Sequence, residues 1–320
     1  MQNIIEPVER EILKKELTPE KRLRRTNKSG NEIYIITAQN SPHVMREIGR
    51  LREIAFRHYG GGTGLPADID EFDTMDEAYR QLIVWSPQDE RIMGGYRFLC
   101  GADVKFDGQG KPLLATSHLF NFSAHFLKNY LPYTVELGRS FVSVDYQARL
   151  GSSKGLFILD NLWDGLGALT VIDPKLKYFY GKVTMYNTYD VEARNMILYF
   201  LNYHFPDPEE LVRPIHPLHT NTNTEKMKAL FHHDDFKLNY KILNQEVRKL
   251  NFDIPPLVNA YMNLSPKMRV FGTAINREFG DVEETGILIA INEILEEKKK
   301  RHIETYLMEM EEPDFKTIKI

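Results

Sequence analysis

The run Glu136-Leu137-Gly138-Arg139-Ser140 lies inside a strand-like stretch, Tyr133 to Tyr146. A carboxylate and a guanidinium three residues apart are unusual in an otherwise apolar, β-branched pattern. Buried charges are costly unless they are paired or used. A Gly/Ser loop, Gln147 to Gly155, follows. Then come a helical pattern from Leu156 to Leu169, a strand from Tyr178 to Tyr186 and a helix from Val191 to Tyr203. Strand, glycine-rich loop, helix, strand, helix is an α/β order. Two more charged features stand upstream: Asp70-Glu71-Phe72-Asp73 in a Gly-rich loop region, and Arg97 after Gly94-Gly95-Tyr96 in another apolar strand. Together they describe a polar site built on a sheet.

The rest of the chain is organised around that unit. Residues 32–38 read as a strand. Ser41 and Pro42 open a helix to about Tyr59, with Val44, Ile48, Leu51 and Ala55 at helical spacing. Glycines within 60–64 stop it. Strands at about 80–86 and 91–100 form a hairpin across Pro87-Gln88-Asp89-Glu90, and 118–130 reads as a helix. The domains are then a basic N-terminal arm (1–30), a core (31–203), an insertion (204–250), the C-terminal part of the core (251–295) and a charged helical tail (296–320) extending outward. The insertion carries Pro206, Pro208, Pro214 and Pro217, and the returning core carries strands at 267–274 and 286–292.

Composition excludes several classes. A net charge of −4 over 320 residues argues against a nucleic-acid binder held by bulk electrostatics. One cysteine, Cys100, leaves no disulfide framework and no Cys-based zinc site, and fits a reducing cytoplasm. His216-x-x-His219 and His232-His233-Asp234-Asp235 have metal-like residue types. Nothing in the sequence places them on one surface, so they read as solvated loop residues and no metal is expected. Cys100 and Trp163 read as structural. No apolar run approaches the ~18 residues that span a bilayer. Met1 to Arg25 lacks an apolar signal core. A cytoplasmic protein is expected, with any membrane contact peripheral to the inner face. The basic residues within 14–28 are either solvated or dock an acidic partner or anionic headgroups.

Several short motifs then stand in a fixed order. They are Arg52 and Phe56 four apart on the first helix, Asp70-x-x-Asp73, Arg97 and Glu136-x-x-Arg139, the last within Glu-Leu-Gly-Arg-Ser. After them come Leu162-Trp163-Asp164-Gly165, Pro255-Pro256-Leu257, and Tyr261 with Leu264. This order resembles the acetyltransferase-like (GNAT) superfamily over roughly residues 32–292. More closely it resembles the acyl-carrier-protein-dependent N-acyltransferases that make ornithine and glycine lipids, with the autoinducer synthases as a related branch. Tyr59 and the glycines 60–62 stand where the autoinducer branch has a Trp, which argues against homoserine lactone production. Phe141 stands where the lipid branch usually has Cys.

The resemblance implies a mixed sheet with splayed central strands, 133–145 and 178–186, flanked by helices, with a thioester arm threading between the two strands. It implies transfer of a long-chain 3-hydroxy fatty acyl group from acyl carrier protein to an amino acid, glycine first and ornithine next. The donor would be the phosphopantetheine thioester of acyl carrier protein, or acyl-CoA, with no permanently bound cofactor. An ammonium has no lone pair, and an α-amino pKa near ~8 leaves it mostly protonated at pH 7. A carboxylate attracts the ammonium and accepts its proton directly or through water, and Glu136 is the expected base, with Arg139 holding the charge network beside it. A regular strand sends residues three apart to opposite faces, so a bulge at Gly138 is expected to bring the two together. Arg52, Phe56, Asp70, Asp73 and Arg97 are the expected acceptor-binding residues. The alternative is that these charges only pair with each other and stiffen the loop. Val142 and Val144 on the splayed strand, and the loop with Gly151, Ser152, Ser153, Lys154 and Gly155, are the expected holders of the donor. Backbone N–H groups at a helix start favour its phosphate. Two other classes stay open: an acetyl-CoA-dependent acetyltransferase with a small acyl pocket, and a non-catalytic, membrane-associated or haemolysin-like protein.

Overall fold

The computed structural model describes residues 1–147, 154–311 and 318, with backbone alone at 154–156. Its strands are β1 (Arg22–Arg25), β2 (Glu32–Ile36), β3 (Arg80–Ser86), β4 (Arg91–Cys100), β5 (Phe120–Phe122), β6 (Thr134–Val142), β7 (Tyr178–Met185), β8 (Val212–Pro214), β9 (Arg269–Asn276) and β10 (Val282–Ala290). Eight of them form one sheet in the order β1-β2-β3-β4-β6-β7-β10-β9, and β5 pairs with β8 beside it. Side chains alternate across the sheet. Ile33, Ile35, Leu82 and Val84 face the Lys154–Ile172 helix with Leu162 and Trp163. Tyr34, Ile36, Ile83 and Trp85 face the Pro42–His58 helix with Val44, Ile48 and Phe56. No helix among the described residues is long and apolar enough to cross a membrane.

The neighbouring strands of the sheet are antiparallel except β6 and β7, which are parallel. Their register runs only from Thr134↔Tyr178 to Leu137↔Gly181. Beyond it, β6 continues to Val142 and β7 to Met185 without pairing to each other. The central strands therefore splay, as expected.

The bulge is also present, but at a different residue. Gly95 pairs with Phe141 and Arg97 with Gly138, so β6 carries an extra residue there. Arg139 takes it up with φ 49°, and Gly138 has no positive φ. A left-handed conformation costs a non-glycine residue about 1–2 kcal/mol, and the reason it persists lies in the side chain's partners, described below.

Several boundaries change. The N-terminal segment is not a free arm: Leu13, Leu17 and Leu23 are buried, β1 edges the sheet, and Arg24 is buried beneath the Tyr306 ring at 5.2 Å. Ser41 makes no capping bond; the Glu16 carboxylate accepts from the backbone N–H of His43 at 3.0 Å and Val44 at 2.9 Å instead. The expected helix 118–130 is β5 followed by a short Ala124–Asn129 helix capped by Ser123. The segment 204–250 packs against the rest of the chain: Phe231, Leu243 and Val247 join the main core and β8 pairs with β5. The expected strands near 267–274 and 286–292 are β9 and β10. Residues 296–311 of the tail fold back rather than outward. His302 is buried with its Nδ1 2.7 Å from Asp164 Oδ1, and Tyr306 packs in the core.

Candidate active site

A cavity of about 390 Å³ opens where β6 leaves β7. Its lining comes from both faces of the sheet. Tyr96, Leu137, Leu159, Pro255, Leu257 and Tyr261 form an apolar arm beside the Lys154–Ile172 helix. Arg139, Lys182, Thr184 and Glu284 form a polar arm on the other face, bordered by Phe56 and Phe279. A regular parallel pair would have closed the passage with its hydrogen bonds, so the splay is what makes it.

Behind the polar arm lies a closed charge network. Arg97 Nη1 donates to Asp70 at 2.6 Å and to Asp73 at 3.3 Å. Arg52 donates to Asp73 at 3.2 Å and to Gln81, which itself donates to Asp73 at 2.9 Å. Asp70 and Asp73 also form a capping box on the short Glu71–Thr74 helix. Burial works to raise the Asp73 carboxyl, but Arg52 and Arg97 outweigh it and hold it well below the usual carboxylate range. Arg139 reaches the network from the cavity side. Its Nε lies 2.9 Å from Asp68, its Nη2 3.4 Å from Asp70, and its guanidinium 4.3 Å from the centre of the Phe279 ring. These contacts over-determine the left-handed Arg139 backbone.

The expected site residues therefore divide. Arg139, Phe56 and Val142 line the cavity. Phe56 packs edge-on against Phe279 at 5.0 Å. Arg52, Asp73 and Arg97 are buried in the network and do not line the cavity. Asp70 is half-buried and joins Arg97 to Arg139. For these charges the geometry favours mutual pairing over acceptor contact. Val144 does not line the cavity either, because the strand ends at Val142 and Val144 starts a short helix packed against the core beside Pro42–His58. Gly151, Ser152 and Ser153 lie outside the described residues, and Lys154 and Gly155 open the Lys154–Ile172 helix.

Glu136, the expected base, is fully enclosed. The bulge brings Arg139 onto the face that carries Glu136, but Glu136 does not line the cavity. Its carboxylate accepts from the Tyr79 hydroxyl, from Thr116 Oγ1 at 2.6 Å and from the Thr116 N–H at 3.2 Å. Burial raises its pKa, offset in part by those Thr116 and Tyr79 bonds. So enclosed, the carboxylate ties β6 to Tyr79 and Thr116.

An ion pair on the wall escaped the sequence reading. Lys182 on β7 and Glu284 on β10 form an ion pair there. Burial pushes the Lys182 ammonium down, opposed by Glu284. Each is a charge within a strand pattern, the same signal that marked Glu136 and Arg139, but more than a hundred residues of chain hide their pairing. Cys100 is a buried thiol pushed up to about 11 by its burial, far from nucleophilic.

Residues 51–154 match the family model described as an acetyltransferase (GNAT) domain. A glycine N(alpha)-acyltransferase of Bacteroides thetaiotaomicron is 66% identical over 307 residues, covering 96% of this chain and 91% of that protein. A glycine N(alpha)-acyltransferase of Phocaeicola vulgatus is 65% identical over 307 residues, covering 96% of this chain and 94% of that protein. Among solved structures, FeeM, an N-acyl amino acid synthase from uncultured soil microbes, aligns over 87% of this chain and 98% of its own, with a TM-score of 0.40 and 10% identity.

Proposed function

The chain belongs to the glycine N(alpha)-acyltransferase family and is an acyltransferase, and on that premise we propose the substrates it joins. The donor is a long-chain 3-hydroxy fatty acyl group on the phosphopantetheine of acyl carrier protein. The acceptor is the amine of glycine, and the product is the mono-acylated precursor of an amino-acid lipid. The observation that carries this reading is the cavity through the β6–β7 splay, apolar on one face and charged on the other. A fatty chain suits the first arm, a small zwitterion the second, and a thioester carbonyl the passage between them. An acetyl donor would leave the apolar arm unfilled.

The chemistry follows from that arrangement. The acceptor's nitrogen loses a proton and attacks the thioester carbonyl carbon. The C–N bond forms, the C–S bond breaks, and the leaving thiolate takes up a proton. Backbone N–H groups of β6 beyond Leu137, freed from β7, are suited to the oxyanion that forms in between. Arg139 and its network fix the wall on which this happens. The phosphopantetheine phosphate is assigned to Gly151, Ser152 and Ser153, together with Lys154 and Gly155 at a helix N-terminus.

The test is direct. Purified protein is incubated with long-chain 3-hydroxyacyl carrier protein, or the matching acyl-CoA, and a panel of amino acids, and the products are identified by mass. N-acylglycine from the carrier-protein donor is the expected product. No N-acyl product with any amine would sink the reading, and equal turnover from acyl-CoA would remove the carrier-protein assignment.

A further inference from the structure

Lys182 and Glu284 have opposite charges on the wall of one cavity. Arg139, the other cation there, is met by two carboxylates, Asp68 and Asp70. Lys182 is met by Glu284 alone among the described residues. Glu284 is held in place from its own strand's neighbours, since it accepts from Thr184 Oγ1 at 3.3 Å and from Asn276 Nδ2 at 3.1 Å. Glu284 and Thr184 face each other in the β7–β10 register, and the pair therefore stands on rigid sheet rather than on a loop. A desolvated ion pair contributes little to stability on average, because desolvation offsets its attraction. A pair turned into a cavity has a second use: its two ends match a zwitterion.

We propose that Lys182 and Glu284 form the acceptor subsite, Lys182 taking the amino acid's carboxylate and Glu284 its ammonium. This rests on the function proposed above. An amino acid entering between them gives each wall charge a new opposite charge and leaves the site's net charge unchanged. Glu284 then accepts one proton from the ammonium. The freed lone pair forms the C–N bond, the C–S bond breaks, the second amine proton reaches the thiolate, and Glu284 returns its proton to water. The same arrangement selects against cationic side chains. A second ammonium, such as that of ornithine, meets Lys182 and Arg139, whose neighbouring carboxylates Glu284, Asp68 and Asp70 are already paired, and like charges in a partly buried site repel strongly.

The experiment measures kcat and KM for glycine, ornithine and ethylamine, the last lacking the carboxylate, with the long-chain donor in excess. Wild-type enzyme is expected to prefer glycine over ornithine by at least tenfold and over ethylamine by at least a hundredfold in kcat/KM. Lys182→Met is expected to raise the glycine KM at least tenfold with a much smaller change in kcat, and to narrow the preference over ornithine tenfold. Lys182→Arg restores part of both. Glu284→Gln is expected to lower kcat at least a hundredfold. A folded Lys182→Met enzyme with unchanged glycine KM and unchanged preference overturns the proposal alone. A wild type that acylates no amino acid overturns the function on which it rests as well. If Lys182→Met does not fold, the wild-type panel decides: ornithine or ethylamine turned over as well as glycine overturns the subsite.

Discussion

Arg139 Nε lies 2.9 Å from Asp68, across the mouth of the charge network, while its backbone sits in the left-handed region at φ 49°. The ion pair and the bulge support each other. Asp68 is fully buried, and its burial raises its pKa against the pull of Arg139, Arg52 and Arg97. Removing the guanidinium leaves that carboxylate with a poorer partner set. Breaking one side of a buried pair costs about 3–5 kcal/mol. Arg139→Met should therefore lose about 3 kcal/mol in chemical denaturation, and less in an Asp68→Asn background. Additive losses in the double mutant would show that the two residues do not act as a pair.

Glu136 gives a prediction with a definite sign in pH. Its pKa is raised in the folded protein, so the protonated form is the one the fold favours. Its contribution is fully present below the unfolded value of ~4.3 and is lost as pH rises through the higher folded value. Glu136→Gln removes this dependence. Its stability relative to wild type should accordingly improve from pH 4 to pH 7, measured by denaturant melts at several pH values. Because the carboxylate is not on the cavity wall, the same variant should keep more than a tenth of wild-type glycine turnover. A folded but inactive Glu136→Gln would return the proton-accepting role to Glu136.

Gly138 separates space from backbone strain. A Cβ there would meet the Arg97 side chain at 3.6 Å, an ordinary contact, and its φ is not positive. Gly138→Ala should fold with stability unchanged or raised by up to about 1 kcal/mol. The added methyl enters the cavity lining, so the glycine KM should rise several-fold. Gly101→Ala is the contrast, since its Cβ would stand 1.7 Å from the Leu131 carbonyl oxygen. That variant should express poorly or melt far lower, and a normal melt for it would contradict the packing described.

What the residues alone reveal follows from how local each feature is. The α/β order and the splay of 133–145 from 178–186 were readable because strand and helix periods are local, and because the motif order resembled a known family. The Asp70–Asp73–Arg97–Arg139 assembly was readable as a set of charges, but not as a closed network, since closure depends on register. Glu136 is enclosed by bonds from Tyr79 and Thr116, and neither of those residues carries a signal in sequence. Lys182 and Glu284 were hidden by chain separation. The tail was misread because a run of charged residues looks solvated, while His302 and Tyr306 anchor its buried side.

The apolar arm should set the length of the acyl group. Leu257, half-buried on the short Pro256–Met262 helix, and Leu159 on the Lys154–Ile172 helix both line it, with Tyr96 and Tyr261 between the two walls and their hydroxyls 3.4 Å apart. Because Leu257 is not in the close-packed core, a larger side chain there can take cavity space without forcing the sheet apart. Leu257→Trp should therefore melt within a few degrees of wild type. Offered a mixture of acyl donors from short to long chains, it should shift its N-acylglycine products toward shorter chains by at least two carbons, read by mass. Tyr261→Ala, which widens the same arm, should shift them the other way, though with a loss of about 3 kcal/mol in stability from the cavity it leaves. An unchanged product distribution in both variants would place the acyl chain outside this arm.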